Sequence, residues 1–526
     1  MLWKNNHKNM RHATLPFLAL LTMGAYAQPG TWDPSFGNNG KVIVPQLGAG
    51  EDDQSVTAVV LPDDRILVAG RSSDGTHFNS VLLRFNADGS PDPTFGTNGV
   101  VEHDLADGSE FIRSAELDGS GRLVVGGHLF SDAAETNSDM FVARFLADGS
   151  LDPSFNGTGI LVRDIHNTPD AEEAYEVLIQ PDGKVLLCGF SGPAIGQTEI
   201  VVERYLDNGG LDPSFGGDGS VLVYIADAIG EELRSAVLSD AGEVYFCGYG
   251  TRSGESDLSL LLGHLDAQGN DPSTFGNANG HSWVSESGSD LIPRSIALRP
   301  NGQIAAAGVK RITGSTQARI IHTFDATGHE VSYSFMDDPN GADAWNCLLV
   351  QNNGAIICGG NVGAAPNSRN WNVKRTQSNN ISSDGVFFAA DYDEDGGEET
   401  CFDLAFTNDS SIIGIGYAEV DGHNRIVLIK YLNDISTGLP ERANTSVISA
   451  YPNPVADRVA IKLGAAYTGL VQFTIVDATG RAVRMWSSSV PGDAPFLADL
   501  SALLPGAYTL HVDNGLVRSA VKLLKR

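Results

Sequence analysis

Apolar and polar positions repeat along this chain in a fixed order. Each repeat has an apolar run, a polar turn that ends in glycine or a substitute, a second apolar run and a closing glycine. In the clearest turn, Gln180-Pro181-Asp182-Gly183, proline fixes φ, aspartate bonds to its own turn and glycine accepts a positive φ. Each segment is therefore predicted to be a β-hairpin. The seven segments are 58–70, 115–127, 177–189, 236–248, 296–308, 348–360 and 404–416.

Two further strands follow most of these hairpins. A third apolar run such as 81–85 comes first, and then a turn that reads Asp-Pro-Ser-Phe-Gly or a close variant, and a short valine-rich run. Four short strands per repeat, with no helical period and with closing glycines 52 to 62 residues apart, are typical of a propeller blade. We expect the phenylalanine to pack between blades. The turn motif stands at 92–96, 152–155 and 212–216, with a looser form at 271–276.

The two ends of the repeat region complement each other. The chain carries an isolated turn motif at 33–37, which leads to a short apolar run at 42–44. Its last repeat has three strands, ends at 426–431 and lacks the motif. The N-terminal strand can complete the final blade and remove two open sheet edges. The pattern predicts an all-β, seven-bladed β-propeller closed by the N-terminal strand; an open solenoid is the alternative.

The repeats resemble a known family. The run 180–189 with Arg204-Tyr205-Leu206 and 211–219 is similar to the delta-60 repeats of bacterial exported proteins. The resemblance covers about residues 30 to 433 and weakens in the last three repeats, where the turn motif is lost. It implies a β-propeller, and it brings no shared catalytic activity.

The C-terminal part has a different pattern. Residues 434–445 are polar and contain Pro and Gly, as a linker does. Short strand-like runs at 459–463, 471–476, 508–512 and 519–524 indicate a small Ig-like β-sandwich. This part of the chain resembles the type A sorting domain of the type IX secretion system. The matching residues are Tyr451, Pro452, Asn453 and Pro454, then 476–481, 499–501, 504–508 and the basic end 521–526. The resemblance implies that residues 446–526 route the chain across the outer membrane; an ordinary adhesive sandwich is the alternative.

The first 27 residues have the pattern of an export signal. Lys4, Lys8 and Arg11 precede a short apolar stretch at 15–23, and Ala25-Tyr26-Ala27 offers a cleavage site. A membrane anchor is the alternative, but the stretch is far below the ~20 residues that span a bilayer. We therefore predict a signal peptide at 1–27, a propeller at 28–433, no transmembrane segment in the mature chain, and a location outside the cell or on its surface.

Charge narrows the choice of partners. The chain has 34 basic and 65 acidic residues, a formal charge of −31. Such a surface repels phosphate backbones and anionic lipids, so we expect no nucleic-acid partner. The apolar fraction of 42% is ample for a packed core.

One cysteine pair is a disulfide candidate. The segment 347–358 has the pattern of a hairpin that turns at Asn352-Asn353, which would place Cys347 opposite Cys358. The alternative is two separate buried thiols. The other three cysteines, at 188, 247 and 401, suggest neither a disulfide framework nor a zinc site.

Carboxylates recur before the first strand of each repeat. They stand eleven residues before the turn glycine or its counterpart, and the fifth repeat has Asp290 one residue off. A ring of such groups near a central channel would hold a cation or a basic ligand. The alternative is structural: each accepts backbone N–H bonds or pairs with Arg113, Arg234 or Arg294. The six residues are Asp53, Glu110, Glu172, Glu231, Asp343 and Glu399.

One loop has the character of a metal site. Asp391, Asp393 and Asp395 alternate ahead of Gly396, like the start of a calcium loop. Phe402 stands where an EF-hand has its bidentate glutamate, which excludes an EF-hand. A simpler calcium loop and a solvated acidic turn both remain, so calcium is the one cofactor that the sequence suggests.

The motif search finds no His-Glu-x-x-His, Gly-x-Ser-x-Gly or phosphate-binding loop. We predict that the chain is not an enzyme but an exported binding propeller with a glycan or protein ligand, which contacts the secretion machinery through its C-terminal domain. The alternatives are a secreted polysaccharide hydrolase or lyase with its site in the channel, and a structural surface or matrix component.

Overall fold

In the computed structural model, the chain forms two compact units, residues 1–435 and 436–526. The structure describes residues 30–433 of the first unit except 51, 167–170, 193–197, 224, 226–227, 273, 277–279, 313–316, 337–340, 342, 364–368 and 377–396. It describes residues 449–525 of the second except 452–454, 456, 464–469, 478–481, 490–495, 505 and 514–517. The predicted signal peptide and linker lie outside the described residues.

Antiparallel strands in chain order build each blade of the first unit, and each blade is named here by its first strand. The strands are β1 (Lys41–Ile43), β2 (Asp53–Val60), β3 (Ile66–Ser73), β4 (Phe78–Phe85), β5 (Val100–His103), β6 (Glu110–Leu117), β7 (Leu123–Phe130), β8 (Ser138–Phe145), β9 (Ile160–Arg163), β10 (Ala171–Ile179), β11 (Val185–Gly192), β12 (Glu199–Tyr205), β13 (Ser220–Val223), β14 (Ala228–Leu238), β15 (Val244–Arg252), β16 (Leu258–Leu265), β17 (His281–Val284), β18 (Ser289–Leu298), β19 (Ile304–Ile312), β20 (Gln317–Phe324), β21 (Glu330–Met336), β22 (Ala344–Val350), β23 (Ile356–Val362), β24 (Asn370–Arg375), β25 (Glu399–Phe406), β26 (Ile412–Val420) and β27 (His423–Tyr431).

The sheets confirm the predicted four-stranded repeat for most of the unit. The β2, β14 and β18 blades each have four strands in sequence order, and a single parallel bridge joins the β6 and β10 blades. The β22 blade has three strands among the described residues. The hairpin turns have the expected geometry, since Gly183 has φ +85° and its counterparts Asp64 and Ser410 have φ 66° and 67°. This conformation is one that glycine adopts readily and other residues seldom do.

A cationic clamp fixes each of three blades to the next one. Arg144 of β8 is 1% exposed, and its Nε donates to Asp152 of the turn motif at 2.8 Å. Its other nitrogens donate to Ser154 Oγ and, across the junction, to the backbone oxygen of Asp207 in the β10 blade. The guanidinium lies 4.9 Å from the ring centre of the buried Phe155. The predicted packing of this phenylalanine between blades is therefore confirmed.

The same clamp recurs in the neighbouring repeats. Arg84 and Arg204 hold Asp92 and Asp212 at 2.7 and 2.9 Å and reach a backbone oxygen of the next blade. Burial raises the pKa of Asp152, but hydrogen bonds from Ser154 and the charge of Arg144 together lower it by more. The pKa therefore lies below its ordinary value. The clamp is thus an ionised pair that repeats with the blade.

The N-terminal segment brings the same motif to the β25 blade. Strand β1 pairs antiparallel with β27, so the sheet order is β1-β27-β26-β25. Lys430 of β27 replaces the clamp arginine, and its Nζ lies 3.2 Å from Asp33. The backbone bonds are also repeated, since Asp33 N–H donates to Lys430 O at 2.8 Å and Asp152 N–H donates to Arg144 O at the same distance.

Apolar clusters fill the junctions between blades. One cluster combines Ile66 and Val68 of the β2 blade with Ile413 and Ile415 of the β25 blade, so the first and last blades share a core. Similar clusters join the other neighbouring blades. The second and third strands are well covered, and every residue of β8 and of β11 is buried. Burial on both faces explains why these runs are almost continuously apolar.

The second unit contains two antiparallel sheets with the orders β28-β29-β32 and β31-β30-β33-β34. Buried Val459, Ile461, Phe473 and Val512 belong to one core that both sheets supply. The strands are β28 (Ser449–Tyr451), β29 (Arg458–Lys462), β30 (Leu470–Asp477), β31 (Ala482–Ser489), β32 (Phe496–Asp499), β33 (Gly506–Asp513) and β34 (Arg518–Lys525).

Replacing Arg144 by leucine should lower the free energy of unfolding by about 3 kcal/mol, because the buried Asp152 would keep only the longer, 3.3 Å ion pair with Arg122. Arg252→Leu is the control, since this side chain is 41% exposed and pairs with Glu255 at 3.3 Å; it should cost no more than about 1 kcal/mol. Urea unfolding followed by tryptophan fluorescence measures both. Equal losses for the two variants would contradict the clamp, and Arg144→Leu combined with Asp152→Leu should recover part of the loss.

Candidate functional site

The first strand of every blade carries a β-bulge at an equivalent position. The pairing with the second strand shifts there by one residue, which leaves one residue without a partner across the ladder. A bulge bends the strand and redirects a side chain. All of the bulged residues line one cavity of about 470 Å³, which we call the central cavity. They are Val56, Arg113, Tyr175, Arg234, Arg294, Asn346 and Phe402.

The residue after each bulge also lines the central cavity, and several of these residues connect blades. Glu176 of the β10 blade accepts hydrogen bonds from Ser114 Oγ at 2.5 Å and Ser235 Oγ at 3.0 Å, one on each neighbouring blade. Asp403 of the β25 blade accepts from Thr57 Oγ1 of the β2 blade at 3.0 Å. This layer of hydrogen bonds fixes the cavity wall.

Three arginines of the central cavity come from three different blades. Arg234 donates to the hydroxyl groups of Tyr175 and Tyr249 and to Glu232, the last at 2.7 Å. Arg113 lies 3.7 Å from Glu173, a long contact for an ion pair. The ring of Tyr175 lies 5.1 Å from the Arg113 guanidinium and 4.5 Å from that of Arg234, so cation–π contacts hold both cations at this wall.

Arg294 has the most unusual surroundings of the three. Its guanidinium donates to the side-chain oxygen of Asn346, a neutral group. Burial, together with the charges of Arg311, Arg234 and Arg369, lowers the pKa of Arg294 to about 10. Arg311 also lines the cavity. Cations therefore converge here, and an anion would relieve their repulsion.

Some buried arginine donors have no acceptor within the described part of the chain. The Nε atoms of Arg113 and Arg234 are buried and make no hydrogen bond, and the same is true of Arg71. Burial and the charge of Arg113 lower the pKa of Arg71 to about 10. Buried donors of this kind normally have a partner. The cavity thus offers unused donors for oxygen atoms of a ligand.

The acidic groups of the central cavity are only partly ionised near neutral pH. Burial raises the pKa of Glu176 to about 7 and that of Asp403 to about 6. Their negative charge is therefore weakened, while the arginines remain cationic.

The predicted ring of carboxylates does not line this cavity. All six residues are buried, and several bind the preceding loop: Leu47 N–H donates to Asp53 at 2.8 Å, Ala106 N–H to Glu110 at 3.0 Å, and Ile165 N–H to Glu172 at 2.8 Å. Asp343 accepts from Gly363 N–H and pairs with Arg319 at 3.0 Å. Burial raises the pKa of Glu110, Glu172 and Glu231.

These contacts favour the structural role of the carboxylates, although not the arginine partners that the sequence suggested. Arg113, Arg234 and Arg294 point into the central cavity instead. Glu172 does share a cluster with Asp139 and Asp164, whose carboxylate oxygens lie within 4.8 Å of one another. Asp391, Asp393 and Asp395 lie outside the described residues, so calcium binding stays a prediction.

The predicted pairing of Cys347 with Cys358 was wrong. The turn is longer than expected, because Val350 pairs with Ile356 and Gln351 N–H bonds to Ala355 O. Cys347 therefore lies opposite Gly359, and Cys358 opposite Leu348. The two cysteines belong to different core clusters on the two faces of the sheet, and the structure contains no disulfide among the five cysteines.

In the second unit, Tyr451 of the predicted sorting motif pairs with Ala460 in the first sheet. Pro452, Asn453 and Pro454 lie outside the described residues.

Two protein families match the chain. The family described as a beta-propeller domain of unknown function, DUF5122, matches residues 61–95, 119–155 and 180–215. The secretion system C-terminal sorting domain matches residues 449–526. Both resemblances predicted from the sequence are confirmed. No curated protein sequence matches the chain.

Several solved structures resemble this chain over most of its length. The polysaccharide lyase Uly1 has 10% identity and a TM-score of 0.44, over 78% of this chain and 94% of the lyase. A PL25 ulvan lyase has 10% identity and a TM-score of 0.43, over 74% and 96%. The WD40 domain of SCAP from fission yeast has 10% identity and a TM-score of 0.32, over 74% and 95%. At these identities the likeness concerns the fold alone.

The prediction that the chain is not an enzyme is corrected by the two lyases, because enzymes occur among proteins of similar fold. That prediction depended on the absence of motifs typical of metalloproteases, serine hydrolases and phosphate-binding enzymes. Such motifs do not cover every class of enzyme.

Within the described residues, no helix is long and apolar enough to cross a membrane. The C-terminal match identifies the protein as secreted or displayed on the cell surface. The chain thus contains three segments that match the DUF5122 beta-propeller model and a C-terminal segment that matches the secretion system sorting domain.

Proposed function

We propose that this exported protein binds an anionic ligand in the central cavity of its propeller. The observation that carries the proposal is the convergence of Arg113, Arg234 and Arg294 on one cavity, together with buried Nε donors on Arg113 and Arg234 that lack an acceptor. A chain with a formal charge of −31 places these cations in its interior rather than on its surface. Desolvation and the mutual repulsion of the arginines make such a cluster costly unless an anion compensates it.

The proposal includes a ring of seven blades. The shared core of the β2 and β25 blades and the pairing of β1 with β27 support a ring that the N-terminal strand closes. The bulged residue of each blade would then face a common axis. We also propose the domain limits expected from the sequence, with the propeller at 28–433, the linker at 434–445 and an Ig-like sandwich at 446–526.

The chemistry of the cavity defines the ligand class. Guanidinium groups bind the paired oxygens of carboxylate, sulfate or phosphate groups through two parallel hydrogen bonds. Tyr175, Tyr249 and Phe402 add aromatic surface beside the cations. A volume of about 470 Å³ suits a small molecule or one or two sugar units. An acidic sugar, as part of a glycan, combines these properties, and the sorting domain places the protein where such glycans occur.

The variants Arg234→Gln and Arg294→Gln should each bind an acidic oligosaccharide about tenfold more weakly or worse, because each charge-assisted contact contributes about 1.5–3 kcal/mol. Isothermal titration of the mature chain with oligogalacturonate, a sulfated oligosaccharide and a neutral oligosaccharide is the measurement. The charged ligands should bind and the neutral one should not. Arg252→Gln, outside the cavity, is the matched control. Equal binding of all three ligands, or of variant and control, would contradict the proposal, and product analysis of the same mixtures reveals any turnover.

Binding should be tighter at pH 5 than at pH 8. Burial raises the pKa of Glu176 to about 7, so this carboxyl gains negative charge as the pH rises through that value and repels an anion, on the order of 1–2 kcal/mol at an effective dielectric constant of ~20. Glu176→Gln should reduce the dependence of the Kd on pH and leave the part that arises from Asp403, whose pKa is about 6. An unchanged pH profile in this variant would exclude Glu176 as the cause.

The same substitution has a separate effect on stability. The pKa of Glu176 in the folded protein exceeds its ordinary value of 4.5, so the folded state binds this proton more tightly than the unfolded state does. The protonated carboxyl therefore stabilises the folded state at low pH, and this stabilisation is lost as the pH rises from about 4.5 to about 7. Melting curves of the unliganded Glu176→Gln variant separate this effect from ligand binding.

A further inference from the structure

Two thiols meet at the junction between the β22 and β25 blades. Cys347 of β22 and Cys401 of β25 belong to one buried core cluster. A Cβ atom placed on the neighbouring Gly359 would lie 2.7 Å from both Sγ atoms, so the two sulfur atoms flank the same point. The Cys401 thiol is also a hydrogen-bond neighbour of the Cys347 thiol. These residues are far apart in sequence and are brought together only by the docking of the blades.

Neither thiol has a strong alternative partner in the described contacts. The Cys347 thiol lies 3.6 Å from the backbone oxygen of Gly359, and the Cys401 thiol lies 3.5 Å from that of Asp403. Thiols are weak donors at such distances. Cys358 lies in a different cluster, and Cys188 and Cys247 lie in the cores of other blades. Among the five cysteines, Cys347 and Cys401 are therefore the pair placed for a cross-link.

Export exposes the chain to oxidants while it folds. A protein delivered by a secretion system to the cell surface passes through an oxidising compartment, where disulfides form and persist. Loss of a disulfide from a folded exported protein has its largest effect when the link closes a long loop, and the segment between these two cysteines spans the β22 blade and the start of the β25 blade.

We propose that Cys347 and Cys401 form a disulfide that links the β22 blade to the β25 blade in the exported protein. The oxidant is a disulfide-bearing protein or small molecule. The thiolate of one cysteine attacks a sulfur of the oxidant's disulfide, which forms a mixed disulfide and releases one oxidant thiolate. The thiolate of the second cysteine then attacks the protein sulfur of that mixed disulfide and releases the second. One S–S bond forms, one breaks, both cysteines are oxidised, and the oxidant takes up two electrons and two protons as two thiols.

Burial sets the time of this step. Burial raises the pKa of Cys347 well above its ordinary value, so the folded chain holds little of the reactive thiolate. The exchange therefore precedes the final packing of the two blades.

The test uses the full exported chain, purified without reductant. After denaturation, the free thiols are alkylated with iodoacetamide, and digested peptides are compared with and without prior reduction. Cys347 and Cys401 should be alkylated only after reduction, and one peptide pair should be joined through them. Cys188, Cys247 and Cys358 should be alkylated in both samples. Complete alkylation of Cys347 and Cys401 before reduction, or a link to Cys358, would overturn the proposal.

Variants extend the test to the folded state. Cys347→Ser should leave Cys401 open to alkylation, whereas the control Cys358→Ser should leave the link intact. Reduction should lower the melting temperature of the natural chain and of Cys358→Ser, but not that of Cys347→Ser. The mass measurement on the natural chain needs no variant, so the proposal stays testable if Cys347→Ser fails to fold. Its outcome is also independent of whether the central cavity binds an anion.

Discussion

The buried pair between a third-strand arginine and the aspartate of the turn motif organises the first unit. In Arg144 and Asp152 it joins three functions: the carboxylate holds its own turn, the guanidinium covers Phe155, and a remaining N–H reaches the next blade. A buried charge without a partner is strongly unfavourable, so the turn, the ring and the neighbouring blade must adopt their positions together. Lys430 and Asp33 repeat the arrangement where the N-terminal strand enters the β25 blade.

The clamps are formed by third-strand residues and the turn motif. The residues of the first strands can therefore differ from blade to blade. Each first strand keeps a bulge, but the bulged residue ranges from Val56 to Arg294. At the bulge, one side chain of a repeated strand can face the cavity while the strand pairing on either side continues. The repeated strands thus form the scaffold, and the side chains at the bulges determine the chemical character of the cavity. Such an arrangement lets one fold class carry different functions.

The distribution of charge follows from the same division. Acidic residues predominate over the whole chain, and the recurring carboxylates before the first strands fasten loops through backbone N–H groups. The central cavity has the opposite character, with Arg113, Arg234 and Arg294 beside carboxyl groups whose ionisation burial suppresses. A negative exterior and a cationic interior are compatible because charges of opposite sign attract each other.

The sequence by itself determined the hairpins, the turn motif, the packing of its phenylalanine and the identity of the C-terminal domain, since local turn chemistry and residue periodicity specify these features. Only the tertiary structure decided which residues line the cavity. The carboxylates that recur in the sequence hold loops, whereas Arg113, Arg234 and Arg294 reach the cavity through bulges that no residue pattern announces. Their one visible sign was an arginine at the same place in three of the first strands. Likewise, a longer turn after Val350 shifted Cys358 by one position, and a shift of one residue in a strand moves a side chain to the other face.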